Sequence, residues 1–405
     1  MPQTTQHTNI PKLRFPGFEG SWIFYKIGDI SSVTAGGTPS TLKKEYWNGD
    51  IRWMNSGELN LKKVFEVENR ISTIGLNNSS TKIVPKLSIL IGLAGQGKTR
   101  GTAAMNMVEL CTNQSIAAIY PNPKLFISEF LYQNIDSRYD ELRRLSTGEG
   151  GRGGLNLQII KAIKVHFPSL PEQQKIALFL SAVDKKIQEL TCKKELLEQY
   201  KKGAMQKIFS QEIRFRNENG KDYPDWERKR GKEVFVSHSN KNHNGDLPIL
   251  AATQDRGMVY RDSIGIEIKS SNESVISYKI VEPGDFVISL RSFQGGIEYS
   301  EVKGICSPAY IILKPKTRID KNFFKFYFKK EEFITRLSKT VVGIRDGKQI
   351  SYDAFGGLKL QIPSVDEQKK IASYISKIDN KIEQTNLHIE KTQQFKKGLL
   401  QQMFV

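Results

Sequence analysis

The sequence has few of the residues that build disulfide frameworks or metal centres. Its 405 residues include only three cysteines and five histidines, and the cysteines stand far apart without a Cys-x-x-Cys pair. Closely spaced Cys and His residues indicate structural zinc sites, and cysteine-dense short chains indicate disulfide-stabilised domains. We therefore expect neither a metal site nor a disulfide framework.

Long apolar runs are also missing. A membrane-spanning helix needs roughly 18 or more consecutive apolar residues, and the sequence contains no such run. The first residues lack the basic and apolar segments of a secretory signal. Hydrophobic residues make up 38% of the sequence, which is typical of a folded globular chain with room for two domains. We expect a cytoplasmic protein without membrane contact.

Negative charge is in deficit. The chain has 61 Lys and Arg residues against 43 Asp and Glu residues, a formal net charge of +18. Because basic side chains release counterions when they bind a phosphate backbone, this surplus favours a nucleic-acid partner. Solubility, or contact with an acidic protein, is the alternative explanation.

An internal repeat organises the chain. Residues 168–177 (PSLPEQQKIA) match residues 363–372 (PSVDEQKKIA), 195 residues later. The same offset continues without a gap, so that Lys-Lys-Gly occurs at 201–203 and again at 396–398. A weaker repeat precedes each copy, where Leu-Arg-Phe at 13–15 corresponds to Ile-Arg-Phe further along the chain. An ungapped match of this length indicates a duplication.

Each copy of the repeat predicts a long helix. Ser169 and Ser364 are suited to cap its start, with Glu172 and Glu367 three residues later as in a capping box. Apolar residues then recur at spacings of four and three over about four to five heptads, which is the pattern of a coiled coil. The predicted seam residues are Ile176, Leu180, Val183, Ile187, Leu190 and Leu197 in the first copy and Ile371, Ile375, Ile378, Ile382 and Ile389 in the second.

Two lysines interrupt this seam at equivalent positions, Lys201 and Lys396. A polar residue in a coiled-coil seam can fix the helix register. The long aliphatic stem of lysine can equally pass along the seam and place its charge in solvent. The sequence leaves both interpretations open.

The segments that precede the two helices differ in sequence from each other. Residues 22–165 and 226–362 contain short β-type runs, such as 88–91 (SILI) and 285–290 (DFVISL), with Gly and Pro between them. A duplicated helix with divergent globular segments suits a protein that presents two different binding surfaces at a fixed distance. An ordinary two-domain protein with a dimerising coiled coil explains the same pattern.

The chain resembles the specificity subunits of type I restriction enzymes over nearly its whole length. The doubled helix start and the doubled Lys-Lys-Gly end carry the resemblance, together with the opening at 11–18 (PKLRFPGF). Residues 36–40 (GGTPS), followed by Glu-Tyr-Trp, and residues 112–118 (TNQSIAA) are similar to parts of a target recognition domain. Residues 284–288 (GDFVI) and 307–310 (SPAY) are similar to another branch of such domains. The combination and order of these motifs are specific to the family.

The resemblance implies the function and the partners. Two target recognition domains would each read one half of a split sequence in double-stranded DNA. The two helices would pack antiparallel as a spacer that binds two methylation subunits, and restriction subunits would join that complex. In this family S-adenosylmethionine belongs to the methylation subunit and ATP to the restriction subunit. We therefore expect a non-catalytic subunit without a cofactor.

The predicted fold class is α+β. Two mixed α/β target recognition domains are separated by two long helices packed as an antiparallel coiled coil, and the duplication gives a pseudo-two-fold arrangement. The predicted domains are residues 1–165 (lead-in and first recognition domain), 166–210 (first spacer helix), 211–362 (second lead-in and recognition domain) and 363–405 (second spacer helix).

Two glycine-rich motifs suggest other functions. Residues 92–99 (GLAGQGKT) satisfy the P-loop pattern, but Gly101 would fall in the first turn of the helix that a P-loop requires, so a turn between strands competes with nucleotide binding. Residues 148–153 (GEGGRG) fit a dinucleotide-binding pattern but follow no buried strand. Two alternatives to the specificity subunit remain: a coiled-coil scaffold without a DNA function and, less favoured, a P-loop nucleotide-binding protein.

Residue type and loop context select candidates for DNA contact. In base reading, Arg pairs with guanine and Asn or Gln with adenine, whereas many other basic residues only position the phosphate backbone. The candidates are Lys98, Arg100, Asn113 and Arg152 in the first globular segment and Arg256, Arg291, Gln294 and Arg345 in the second.

Overall fold

The chain forms two compact units in a computed structural model. The structure describes residues 9–95, 97, 99–146, 154–265, 275–340 and 350–405. Unit 1 contains Met1–Cys192 and Asn386–Val405, and unit 2 contains Lys193–Thr385. Each unit combines strands and short helices with one segment of each long helix. The predicted α+β class, with two mixed domains and two long helices, is confirmed.

Unit 1 is built on a five-stranded and a three-stranded sheet, with strand orders β2-β9-β6-β7-β4 and β5-β3-β8. A separate pair, β1 and β10, is antiparallel. The strands are β1 (Ile23–Lys26), β2 (Val33–Ala35), β3 (Trp47–Met54), β4 (Lys63–Val64), β5 (Asn69–Ile71), β6 (Ile89–Gly92), β7 (Ala103–Asn106), β8 (Cys111–Thr112), β9 (Ile116–Ile119) and β10 (Lys164–Phe167). The helices are α1 (Ile27–Ile30), α2 (Thr73–Asn77), α3 (Ser128–Ser137), α4 (Tyr139–Leu145), α5 (Leu157–Ala162) and the first part of α6 (Leu170–Phe209).

The core of unit 1 joins the larger sheet to the helices. All four residues of β6 are buried, which explains the apolar run at 89–91, because a central strand has both faces covered. Trp22 and Phe130 are buried in the same cluster, which also includes Ile176 from α6. The long helix is therefore part of the core of this unit and not an appendage to it.

Unit 2 contains smaller sheets. A four-stranded sheet has the order β12-β19-β16-β17, and three antiparallel pairs are β11-β20, β13-β14 and β15-β18. The strands are β11 (Glu227–Arg230), β12 (Phe235–His238), β13 (Leu250–Thr253), β14 (Gly257–Tyr260), β15 (Lys279–Val281), β16 (Phe286–Ile288), β17 (Glu298–Tyr299), β18 (Gly304–Cys306), β19 (Ile311–Pro315) and β20 (Lys359–Ile362). The helices are the end of α6, α7 (Gly231–Val234), α8 (Ser292–Gly295), α9 (Lys321–Tyr327), α10 (Glu331–Ser338), α11 (Tyr352–Gly357) and α12 (Val365–Met403), the last of which ends in unit 1.

Aromatic rings dominate the core of unit 2. Phe235 lies edge-to-face against Phe324, with ring centroids 5.0 Å apart, and against Phe286 at 5.5 Å. Phe328 and Phe355 are fully buried in the same cluster. Edge-to-face pairs add roughly 0.5–1.5 kcal/mol each to the free energy of burial. The large rings allow a small sheet and short helices to form a closed core.

The duplication extends upstream of the long helices. α5 and α11 begin 195 residues apart, at Leu157 and Tyr352, and so do β10 and β20. β1 pairs with β10 in unit 1 as β11 pairs with β20 in unit 2. Each unit is therefore closed by the same arrangement of a strand pair, a short helix and the start of a long helix.

Segments of α6 and α12 pack together within each unit. In unit 1 the beginning of α6 shares a hydrophobic cluster with Leu399 and Met403, near the end of α12. In unit 2 the end of α6 shares a cluster with Ile371 and Ile375, near the beginning of α12. Within each unit, therefore, one end of the first long helix packs beside the opposite end of the second.

The seam lysines form ion pairs within each unit. In unit 1 Lys396 Nζ lies 2.7 Å from Asp184 Oδ1. In unit 2 Lys201 Nζ lies 2.5 Å from Asp379 Oδ1. Both the lysines and the aspartates occupy equivalent positions of the repeat. Of the two interpretations of these lysines, the geometry favours register fixing, because each lysine forms an ion pair with the repeat-equivalent aspartate of the other long helix.

The apolar seam residues are buried to different degrees. Ile187, Leu197, Ile382 and Ile389 are half-buried, and the other seven predicted seam residues are buried. The half-buried residues lie toward the middle of the two helices, away from the ends that enter the domain cores. The sheets and short helices therefore supply much of the apolar cover of α6 and α12.

The glutamate at the start of each long helix binds an arginine from the lead-in segment. In unit 1 Arg14 donates from Nε and Nη2 to the two carboxylate oxygens of Glu172, both at 2.7 Å. In unit 2 Arg214 makes the same two bonds to Glu367, at 3.3 and 3.0 Å. The glutamate side chains are only 1% exposed. In each unit a buried carboxylate is thus paired with a half-buried guanidinium in bidentate geometry.

The predicted capping box is therefore wrong in one of its two halves. The Glu367 N–H does donate to Ser364 Oγ, at 3.4 Å. The carboxylates of Glu172 and Glu367, however, bind arginine and do not return to the backbone of the capping serine. A charged guanidinium is a stronger partner than a neutral N–H, and this explains the difference.

The neighbouring glutamine connects the long helix to the globular part. Gln173 donates from Nε2 to the Pro168 carbonyl at 2.9 Å and accepts the Ile127 N–H at 2.9 Å. Gln368 makes equivalent bonds, to the Pro363 carbonyl at 2.9 Å and from the N–H of Asp320 at 2.8 Å. The repeated Glu-Gln pair is thus a structural element that joins three chain segments in each unit.

Replacing Arg214 with Met should destabilise the chain by about 3 kcal/mol, because it leaves the buried Glu367 carboxylate without its charged partner. Urea unfolding measures the change. Arg216→Met is the matched control, since Arg216 and its partner Asp222 are both exposed, and we expect less than about 0.5 kcal/mol there. Equal losses in the two variants would contradict the assigned role of the buried pair.

Candidate nucleic-acid interface

In unit 1 two of the sequence motifs meet. The Gly37 N–H donates to the Thr112 carbonyl at 2.8 Å, and Thr38 Oγ1 donates to Gln114 Oε1 at 2.6 Å. A Cβ at Gly36 would lie 2.0 Å from the Thr112 carbonyl oxygen, which explains why a glycine occupies this position. The Trp53 indole donates to the Gly37 carbonyl at 2.9 Å. Residues 36–40 and 112–114 therefore form one packed surface.

The segment with the P-loop pattern connects two antiparallel strands. β6 pairs with β7 through Ile91 and Ala103. The Gly92 N–H donates to the Thr102 carbonyl at 3.0 Å, and the Gly101 N–H donates to the Gly92 carbonyl at 2.9 Å. The segment therefore leads into a strand, whereas a P-loop leads into a helix. The competing prediction, a glycine-bearing turn between strands, is the correct one.

An arginine outside the motif supports this loop. Arg143, on α4, donates from Nη1 to the Gly97 carbonyl. Leu142 and Arg143 also lie close to Gly101, whose φ of +82° requires a glycine. Of the predicted contact residues on the loop, Arg100 is half-buried and Lys98 lies outside the described residues.

The candidate Asn113 has a structural role. Its Oδ1 accepts the Ser115 N–H at 3.1 Å, and its own N–H donates to the Met54 carbonyl at 3.0 Å. An asparagine whose oxygen closes a local turn cannot use that oxygen for a bidentate adenine contact without opening the turn. Gln114, the next residue, is exposed on the same surface.

The candidates of unit 2 lie on two neighbouring segments. Arg256 lies in the turn between β13 and β14 and is exposed, and its Nε lies 3.8 Å from Asp255 Oδ2. Arg291 and Gln294, at α8, are also exposed. The side chain of Gln254 packs against Gly295, so the turn and the helix are in contact. Arg152 of the first segment and Arg345 of the second lie outside the described residues.

The structure brings together two further arginines that the sequence analysis missed. Arg52 on β3 is paired across the sheet with Arg70 on β5. Both bind the exposed Glu66, at 3.2 and 2.6 Å. The hydrogen bond from Arg52, together with the backbone N–H of Val67, holds the pKa of Glu66 below its usual range. The alternation of apolar and charged residues in β3 was the available signal, but it does not identify the strand that lies beside it.

Other kinds of site find no support in the described residues. Within them, no three His, Cys, Asp or Glu side chains converge as metal ligands would. None of the helices described is both long and apolar enough to cross a membrane.

Comparison with known proteins identifies both halves of the duplication. Residues 19–199 and 224–392 each match the profile of the type I restriction modification DNA specificity domain. The chain is similar to the MjaIX type I restriction enzyme specificity subunit of Methanocaldococcus jannaschii, with 30% identity over 233 residues, 55% of this chain and 53% of that relative. The match to this chain spans about half of the length of that relative. The MjaVIII specificity subunit of the same organism is 23% identical over 402 residues, 94% of this chain and 91% of the relative.

Solved structures share the fold. The S subunit of a type I restriction-modification system from M. genitalium has a TM-score of 0.57 at 18% identity, covering 98% of this chain and 99% of that one. A chain from a study of assembly and conformational transition in the type I system has a TM-score of 0.58 at 15% identity, covering 95% and 97%. At such identities the similarity shows a shared architecture.

The chain contains two copies of one DNA specificity domain, and segments of both long helices complete each copy. It is therefore a DNA-recognition protein with an internal duplication. The chain belongs to the type I restriction-modification specificity subunits, because the family profile covers most of its length. The resemblance derived from the repeated motifs is confirmed.

Gly36→Ala should destabilise the chain by about 2–3 kcal/mol, because the new methyl group meets a backbone carbonyl that cannot move alone. Thermal or urea unfolding measures the loss. Gly203→Ala, in the interior of α6 with no atom near its Cβ position, is the control and should be neutral or stabilising by up to about 1 kcal/mol. A stable Gly36→Ala variant would contradict the close packing of the two motifs.

Proposed function

We propose that this chain reads a two-part target in double-stranded DNA, with one part read by each unit. The observation that carries the proposal is a shared framework with different surfaces. The Arg–Glu pair, the Gln bridge and the closing strand pair occur in both units. The sheets and exposed loops differ between the units. Two unlike surfaces on one repeated frame suit two half-sites of different sequence.

Base reading uses the exposed side chains of the loops. In unit 2 these are Arg256, Arg291 and Gln294, which have the donors that guanine and adenine accept. In unit 1 we assign the surface that contains Gln114, with the half-buried Arg100 and the paired Arg52 and Arg70 as further candidates. The excess of Lys and Arg residues, which gives the chain a net charge of +18, provides the contacts with the phosphate backbone.

The long helices act as the spacer. α6 has 40 residues and α12 has 39. At about 1.5 Å per residue each is a rod of about 60 Å. The Lys396–Asp184 and Lys201–Asp379 pairs favour one register between the rods. A fixed register would give a fixed number of unread base pairs between the two parts of the target.

The chemistry belongs to partner subunits in this proposal. Methylation subunits, two per chain, bind the helical scaffold, and restriction subunits join them. The chain itself is non-catalytic and needs neither S-adenosylmethionine nor ATP. The strand-to-strand path of the loop at 92–102 supports the absence of a nucleotide site there. A cytoplasmic location follows from the access to DNA that this function requires.

Mapping methylated adenines in the host genome should reveal one motif with two defined parts and a constant gap. Binding of that DNA by the chain with its methylation partner should weaken at least about tenfold between about 0.05 and 0.2 M salt. The control is deletion of the gene, which should abolish the motif. Affinity that neither falls with salt nor depends on sequence would favour a scaffold without a DNA function.

Insertion of one heptad into α6 after residue 192 and into α12 after residue 387 should lengthen the unread gap. Seven residues add about 10 Å, which corresponds to about three base pairs. Both half-sites should stay the same, because the recognition loops are untouched. Methylated adenines are mapped in a host that carries the variant, and the length of the gap in the resulting motif is measured. A changed half-site with an unchanged gap would contradict the spacer role.

A further inference from the structure

Three exposed DNA-contact candidates of unit 2 lie on two segments that are separate in sequence. Arg256 belongs to the turn between β13 and β14, Arg291 immediately precedes α8, and Gln294 lies within α8. A bidentate base contact tolerates errors of only about 0.5 Å. Two short surface segments cannot read adjacent bases together unless something fixes one segment against the other.

Lys329 makes that connection. It follows α9, and its ammonium donates to the Gln254 carbonyl at 3.1 Å, to the Gly295 carbonyl at 2.8 Å and to both carboxylate oxygens of Glu298 at 2.7 Å. One carbonyl belongs to the turn and the other to the end of α8. All the donors of a single ammonium group are therefore used to join these two segments to β17.

The ion pair between Lys329 and Glu298 is largely shielded from solvent. The side chain of Glu298 is 3% exposed and that of Lys329 is 25% exposed. Burial raises the pKa of Glu298, and the charge and hydrogen bonds of Lys329 oppose that rise. Removing the lysine would leave a buried carboxylate and two backbone carbonyls without their donor.

Close steric contacts surround the same point. A Cβ at Gly295 would lie 2.6 Å from Gln254 Cγ. A Cβ at Gly257, whose φ is +73°, would lie 2.3 Å from the Tyr299 carbonyl oxygen. The turn therefore packs closely against α8 and β17, and the hydrogen bonds of Lys329 connect the turn to both.

We propose that Lys329 is a positioning residue that joins the β13–β14 turn and α8 into one base-reading surface. It touches no base itself. This inference rests on the proposed DNA-reading function, and it assigns the specificity of one half-site to a side chain that lies behind the contact surface. A second lysine, Lys325 on α9, has a different environment, since its ammonium binds the exposed Glu301 at 2.6 Å and lies over the ring of Tyr299.

The test measures base discrimination separately for each half of the target. Duplexes with single base-pair changes in either half are titrated against the chain assembled with its methylation partner. For Lys329→Met, discrimination should fall about tenfold in the half read by unit 2 and stay unchanged in the other half. Lys325→Met is the matched control and should retain both. A general loss of stability would weaken binding to every duplex alike and would not relax one half-site.

A second variant covers the case in which Lys329→Met does not fold. Gly295→Ala keeps the lysine but pushes Gln254 away from α8, and it should relax the same half-site. Unchanged discrimination in a folded Lys329→Met chain would overturn the inference, as would an equal loss in both halves. Unchanged base discrimination in a folded Gly295→Ala chain would overturn the inference as well. If the unmodified chain shows no discrimination in either half, the proposed function itself fails.

Discussion

A buried carboxylate at the start of each long helix organises its unit. Glu172 and Glu367 are almost fully enclosed, and each can stay charged there because an arginine of the lead-in segment binds both of its oxygens. The lead-in is thereby fixed to the helix, and the next residue, a glutamine, fixes the helix to the globular part. The position of each recognition surface relative to its own helix segment depends on this small polar cluster.

The two units keep the same contacts while exchanging the residues that make them. In unit 1 Gly28 on α1 packs against Lys161 on α5, and in unit 2 Lys232 on α7 packs against Gly356 on α11. The small and the long residue have changed places across one contact. The side chains that contact the ion pairs of the long helices differ more between the units. In unit 1 Gln133 donates to Asp184, the partner of Lys396. In unit 2 Lys201 lies over the ring of Phe326. Packing between neighbouring elements can therefore be retained while the chemistry of the side chains diverges.

The sequence predicted what depends on local spacing. The two long helices and the strands β6 and β16 follow from residue patterns within one element, and the duplication follows from a constant offset between two segments. The partner of Glu172 lies 158 residues away, and no spacing rule connects it to Arg14. For the same reason Lys329 gave no signal in the sequence, because it binds the carbonyls of Gln254 and Gly295. A residue that acts by holding distant backbone carbonyls has no motif of its own.

The division of the long helices between the units has a consequence for the order of folding. Unit 2 is contiguous in sequence, from Lys193 to Thr385, whereas unit 1 needs residues 386–405 to complete its core. Because domains generally fold as units during synthesis, the residues of unit 1 that are made before unit 2 have to wait for those that are made after it. Until Leu399 and Met403 emerge from the ribosome, the apolar face of α6 that they cover stays open to water or to a chaperone.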